Sequence, residues 1–229
     1  DNTYMKDVLE RYKIKGDKST IDDLIRIVAS SVGSLSNPKK IADTFESKLG
    51  IKIGAATINR YLDCFTESFI LRKAFRYDVK GRKYIGTPLK YYFADVGLRN
   101  ALLDFRQQEE NHIMENIIYN ELVVRGFSVD VGMVEYRHRN SEGKDVRTQL
   151  EVDFIARNSE SQLYIQSALN VDTNEKRLQE TSSLNRIGDS FKKIVVVKDD
   201  IEPWTDENGI NYIGIREFLS GKYPDIIEI

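Results

Sequence analysis

Apolar residues recur at helical spacing in the first third of the chain and at strand spacing afterwards. Ile21, Leu24, Ile25 and Val28 form a stripe of period 3.6. Ser19-x-x-Asp22 precedes it in the manner of a capping box, with Asp in place of Glu or Gln. Asn37-Pro38 predicts a second helix, with Asn as N-cap and Pro in the first turn. Ile41, Phe45 and Leu49 would face the core, and Gly50 would end the helix. After the turn at Ile51-Lys-Ile53-Gly, Ala55 to Ser68 predicts a third helix with Ile58, Leu62 and Phe65 inward. Phe69 to Tyr77 then reads as a strand, Asp78 to Gly81 as a turn, and Arg82 to Ile85 as the returning strand.

Lys90-Tyr-Tyr-Phe-Ala-Asp-Val-Gly-Leu98 is a compact aromatic segment that would join two parts of the chain, its three rings serving as core. His112 to Arg125 predicts a helix with Ile113, Ile117, Leu122 and Val123 apolar, stopped by Gly126. Strands follow at 127–131, 134–139, 149–156 and 163–171, with turns at 141–144 and 158–161. A helix at 174–184, a buried strand at 193–197 and a short helix at 215–219 complete the pattern. The fold class expected is α/β (α+β), with helices around a central mixed sheet in the second part.

Three short helices followed by a β-hairpin is the order of a winged helix-turn-helix, expected over 19–103. Its third helix would offer Thr57, Asn59, Arg60 and Asp63 outward, and its wing would carry Arg76, Lys80, Arg82 and Lys83. Cations on a wing suit phosphates, and Asn or Arg near the start of a recognition helix can reach base edges. Charge agrees with this reading. Residues 1–103 hold 19 Lys and Arg against 12 Asp and Glu, whereas 104–229 hold 15 against 24. A basic front half favours nucleic acid. The same fold also serves protein docking, and the two halves could instead attract one another.

The single cysteine, Cys64, excludes a disulfide framework, reads as a core filler and suits a reducing, cytoplasmic setting. No apolar run approaches the roughly 20 residues of a membrane span. The chain opens on Asp1, and the polar stretch Asp7–Lys18 reads as a short helix and linker from something upstream, so 1–18 is expected to connect to a preceding domain. Gly16-Asp-Lys-Ser19 faintly echoes a phosphate-binding loop, but Asp17 stands where that loop needs Gly.

Candidate chemistry lies in the acidic second part. Glu115 sits on the predicted helix, and Gln149-Leu-Glu-Val-Asp-Phe-Ile-Ala156 holds Glu151 and Asp153, which alternation places on one strand face. Carboxylates at Glu115 and Asp153 are suitable ligands for Mg²⁺. A helix glutamate, a strand aspartate and a following Glu-x-Lys resemble the metal site of PD-(D/E)xK nucleases. Here that last slot reads Gln166-Ser-Ala168. Gln166 contributes no charge and Ala168 no chemistry, so 104–229 resembles a nuclease-like domain with a degenerate Glu115, Glu151, Asp153, Gln166 site and no catalytic residue.

The segments Lys90–Leu98, Met114-Glu-Asn-Ile-Ile-Tyr-Asn-Glu-Leu122, Glu151-Val-Asp-Phe-Ile155 and Tyr164-Ile-Gln166 together resemble the C-terminal region of predicted prokaryotic AAA-type ATPases carrying a nuclease-like domain of unknown function. That resemblance implies an ATP- and Mg-binding AAA domain upstream as the chain's own partner, DNA as the ligand, and no cofactor in these 229 residues. It leaves oligomerisation open. Two alternatives accompany this DNA-binding arm: an active metal-dependent DNA nuclease, and a protein-interaction scaffold that does not touch nucleic acid.

Overall fold

The computed structural model describes residues 18–106, 109–139 and 141–227. The linker expected at 1–18 lies, but for Lys18, outside the described residues, as do Gly16 and Asp17 of the loop-like tetrapeptide.

Three helices open the described chain. In α1 (Lys18–Ser30), Ile21, Leu24, Ile25 and Val28 are buried, as the stripe predicts. The helix already includes Ser19, so Ser19 is not its N-cap; the buried stripe governs where the helix forms more than the cap does. In α2 (Pro38–Leu49), Asn37 Oδ1 accepts the Lys40 N–H at 2.8 Å, and Gly50 closes the helix at φ 68°. Ile41 and Phe45 are buried, but Leu49 is 43% exposed, because the row outruns the core it packs on. Helix α3 (Ala55–Glu67) buries Ile58, Leu62 and Phe65 together with Tyr61 and Cys64. Burial pushes the Cys64 thiol up from its ordinary value.

Strand β1 (Leu71–Asp78) turns into β2 (Lys83–Phe93). The returning strand is far longer than 82–85. The Tyr91, Tyr92 and Phe93 rings expected in a joint form its buried end. Helix α4 (Val96–Leu102) starts at Asp95, whose Oδ1 accepts the Leu98 N–H at 2.7 Å. Helix α5 (Glu110–Val124) buries Met114, Ile118, Tyr119 and Leu122; Ile113, Ile117 and Val123 are half-buried, so its inward face is rotated from the one expected.

The remaining elements are β3 (Ser128–Arg139), β4 (Asp145–Arg157), β5 (Gln162–Ala168), α6 (Asn174–Thr181), a 3₁₀ turn at Leu184–Arg186, β6 (Lys192–Val197), β7 (Trp204–Thr205), β8 (Ile210–Gly214), α7 (Ile215–Ser220) and α8 (Pro224–Ile227). The described residues thus form a mixed α/β protein with eight α-helices and one eight-stranded mixed sheet, ordered β2-β1-β3-β4-β5-β6-β8-β7. The β3–β4 and β4–β5 pairs are antiparallel, while β1–β3, β5–β6 and β6–β8 are parallel. The two strands expected at 127–131 and 134–139 are one strand, with a register shift between Asp130 and Gly132. A Cβ at Gly132 would lie 2.9 Å from Val152 Cβ and 3.0 Å from Ile155 Cγ1, so this close approach needs glycine. No helix among the described residues is long and apolar enough to cross a membrane.

The chain divides into two compact units: 1–74 with 87–109, and 75–86 with 110–229. The tip of the β1–β2 hairpin therefore belongs to the sheet unit rather than to the helices that precede it. The first unit carries 16 Lys and Arg against 13 Asp and Glu, and the second 18 against 23, so the charge asymmetry of the two halves shrinks.

Within the sheet unit the hairpin is fixed by side chains as well as by the ladder. Arg76, Tyr77 and Asp78 stand in parallel register with Val131, Gly132 and Met133. Asp130, with its side chain only 5% exposed, pairs with Arg157. The Arg157 guanidinium lies 4.3 Å from the Tyr77 ring centroid, and its Nη2 donates to Tyr84 Oη at 2.8 Å. Tyr84 Oη in turn donates to Asp130 Oδ2 at 3.0 Å. Truncating Arg157 leaves a carboxylate buried without its cation. Arg157→Ala is expected to cost about 3–5 kcal/mol, measured by denaturant unfolding, with Asp130→Asn/Arg157→Met costing less than the single change.

Candidate functional site

Strands β4 and β5 and helices α5 and α6 together line a pocket of about 430 Å³. Glu115 comes from α5, Asp153 from β4, and Gln166 and Ser167 from β5; Asn170, Lys176, Gln179 and Glu180 complete most of the wall. Three of the four residues expected in the nuclease-like site are thus brought together. Glu151 is not among those lining the pocket; it lies opposite Met133 on the β3 ladder, upstream of Asp153 on β4.

The groups around Asp153 are already engaged. Asp153 is 7% exposed, and its Oδ2 accepts the Ser167 N–H at 2.9 Å. Gln166 Oε1 accepts the Asp153 N–H at 3.4 Å, a weak bond. The side chains at 153 and 166 therefore add cross-strand bonds to the β4–β5 pairing, whose ladder runs from Phe154↔Ile165 to Arg157↔Gln162. Ala168 is 3% exposed and packs with Tyr164, Val195, Val197 and Tyr212 in the sheet core. A lysine there would bury its stem and ammonium in apolar surroundings.

Two charged residues that pattern reading assigned no role belong to this pocket. Lys176 and Glu180 stand four apart on α6, which places both on one helix face. Lys176 Nζ donates to Asn170 Oδ1 at 2.6 Å. Burial, and secondarily the neighbouring Asp153 charge, raises the Glu180 carboxyl above its ordinary value of 4.5. The donor types suit a hard cation. Among the described residues no three His, Cys, Asp or Glu side chains are grouped to hold a metal ion. Asp153 Oδ2 accepts a backbone N–H, and the Glu180 carboxyl beside it is raised by burial first and by the Asp153 charge second.

The seven residues expected to contact DNA are divided between the two units. Thr57, Asn59 and Arg60 lie on α3 in the helical unit, with Thr57 half-buried and the other two exposed. Asn59 Nδ2 donates to Asp63 Oδ2 at 2.8 Å, and Asp63 pairs with Lys73, so the outward amide is held by its own helix. Arg76, Lys80, Arg82 and Lys83 belong to the sheet unit. Arg76 Nη2 donates to Gln149 Oε1 at 3.3 Å, which draws it onto β4. Lys80, Arg82 and Lys83 are exposed at the hairpin turn, and among the described residues none has an acidic partner.

Residues 1–109 match a family described as a domain of unknown function, DUF8612, and that match ends where the chain last leaves the helical unit. An uncharacterized protein of Haemophilus influenzae is 33% identical over 219 residues, covering 96% of this chain and 50% of that protein. The uncharacterized protein MJ1544 of Methanocaldococcus jannaschii is 29% identical over 144 residues, 62% of this chain and 31% of the relative. The chain therefore spans half or less of the length of these relatives. The crystal structure of protein VC1899 from Vibrio cholerae aligns with a TM-score of 0.30 at 12% identity, over 90% of this chain and 55% of that one.

The raised Glu180 carboxyl gives a pH test with a defined sign. A folded-state pKa above the unfolded one means that folding penalises the ionised form, so the penalty is absent below about pH 4.5 and grows as pH rises through the folded value. Glu180→Gln is expected to raise the melting temperature at neutral pH, and the gain should vanish near pH 4, as read by thermal unfolding across that range.

Proposed function

We propose that this chain is a nucleic-acid-binding module of a larger, cytoplasmic ATP-driven protein, built from a winged-helix-like unit and a nuclease-like α/β unit that does not cut. The observation that carries the binding reading is the cluster Lys80, Arg82 and Lys83, three exposed cations within four residues at one turn and without acidic partners among the described residues. The turn joins the sheet beside Tyr84, which bonds Asp130 and Arg157, so its backbone is already ordered where the cations are displayed. The order of three helices and a hairpin supports the same reading.

The non-cutting reading is supported by the use of Asp153. Phosphodiester hydrolysis with Mg²⁺ asks for carboxylates free to neutralise the ion and for a cation beside the scissile phosphate. In this chain Asp153 clamps β5, Gln166 is neutral and Ala168 is core. Lys176 and Glu180 partly refill the pocket from α6, which favours keeping the enzyme alternative as the second reading. The remaining length of the Haemophilus relative leaves room for the ATP-binding domain that the resemblance implies, with ATP and Mg bound there.

A labelled duplex should bind at low salt and release steeply as salt rises. Arg82→Ala/Lys83→Ala is expected to weaken binding and to flatten the salt slope by roughly two, as fluorescence anisotropy reads it. Absence of binding at low salt would leave a protein scaffold as the function. Plasmid and linear DNA should survive Mg²⁺ and Mn²⁺; cleavage that disappears in Asp153→Ala would establish the nuclease instead.

A further inference from the structure

A second cleft, of about 630 Å³, lies between α6 and the turn that joins β7 to β8, wholly within the sheet unit. That size falls in the range of roughly 300–1,000 Å³ typical of small-ligand sites. One wall is a fixed aromatic platform. Trp204 stacks on Tyr212 with centroids 4.1 Å apart and planes within 1°. Tyr212 is 1% exposed, and its hydroxyl donates to Asp206 Oδ2 at 3.2 Å. Asp206 Oδ1 accepts the N–H groups of Asn208 and Ile210, each at 2.9 Å, so its charge is spent within the turn. The phenol is pushed up to about 12, first by burial and then by Asp206, and stays neutral.

The other wall is apolar and cationic. Leu178 is 67% exposed and lines the same cleft as Trp204, which is 37% exposed. Arg177 sits 5.8 Å from the Trp204 ring centroid and is tied by Nη2 to Asn174. Asn174 and Asn185 add neutral amides. A phosphate chain without a base would meet the exposed Glu207 carboxylate here, and a cation would meet Arg177. A flat ring with a polar edge and no charge of its own meets none of these objections. It would stack on the exposed part of Trp204, beside the Arg177 guanidinium that lies over the same ring, and rest against Leu178 with its hydrogen-bonding edge toward the amides.

We infer that this cleft holds an unpaired nucleobase, stacked on Trp204 and covered by Leu178. The inference rests on the nucleic-acid reading above and narrows it to unpaired bases at this site. The base could come from a single strand or from a free nucleotide.

Trp204 is the only tryptophan in the chain, so its emission reports the cleft directly. A single-stranded 12-mer should quench it saturably, whereas a blunt duplex of the same sequence should not. In anisotropy with a labelled 12-mer, Trp204→Ala and Leu178→Ala should each weaken binding roughly tenfold, and Trp204→Phe should retain most of the affinity. Both truncated side chains lie at the surface, so folding is expected to survive. Quenching by deoxyadenosine monophosphate without quenching by the 12-mer keeps the base site and makes a free nucleotide its source. Silence toward both, or unchanged affinity in both alanine variants, overturns the inference. If duplex binding still falls with Arg82→Ala/Lys83→Ala while Trp204 stays silent, the binding module stands and only this cleft assignment is lost.

Discussion

Everything at the hairpin end of the sheet depends on one buried charge. Asp130 lies at the register shift in β3, where backbone geometry departs from the regular ladder, and it is almost shut off from water. A carboxylate in that position is tolerable only with a cation and hydrogen bonds close by. Arg157 supplies the cation from β4, and Tyr84 supplies a hydroxyl from β2. The pair therefore spans three strands of the sheet. The hairpin expected as a wing is hydrogen-bonded into this sheet, and its basic turn lies within the sheet unit.

Side chains also carry architecture in the pocket at Asp153. Aspartate accepting a backbone N–H from the next strand stabilises that pairing in the manner of an additional ladder rung. With Gln166 bonded back to the Asp153 N–H, the two side chains brace each other's strands. Ala168, small and buried, lets Tyr164 and Tyr212 share the core beneath. Asp153 and Gln166 thus hold β4 against β5, while Glu115, Lys176 and Glu180 keep the pocket polar.

Local rules were legible along the chain wherever a single residue type decides the outcome. Asn37 and Pro38 mark a helix start because one supplies an acceptor and the other lacks a donor that is not needed there. Gly50 marks its end because only glycine adopts φ 68° without strain. The gathering of Glu115, Asp153 and Gln166 was legible through the resemblance of their order and spacing to the PD-(D/E)xK pattern. What stayed hidden depends on contacts remote in sequence. Nothing near Arg82 announces that the hairpin pairs with a strand some fifty residues later, which requires knowing that Asp130 seeks Arg157 and Tyr84. Lys176 and Glu180 were missed since α6 reads as a polar surface helix until the pocket beside it is known. Strands β7 and β8 were missed because the first has two residues and the second follows a turn closed by Asp206.

The chain passes between its two units three times, at 74–75, 86–87 and 109–110. A cut after residue 109 would look clean on a linear map, yet it would remove β1 and β2 and leave β3 as a bare edge, with Val131 to Met133 unpaired. Asp130 and Arg157 would remain, stripped of Tyr77 and Tyr84. The sheet unit is therefore not heritable as a contiguous block: recombination that moved residues 110–229 alone would transfer an incomplete sheet. A segment that carries the whole sheet has to begin at or before β1, and it then brings α4 with it.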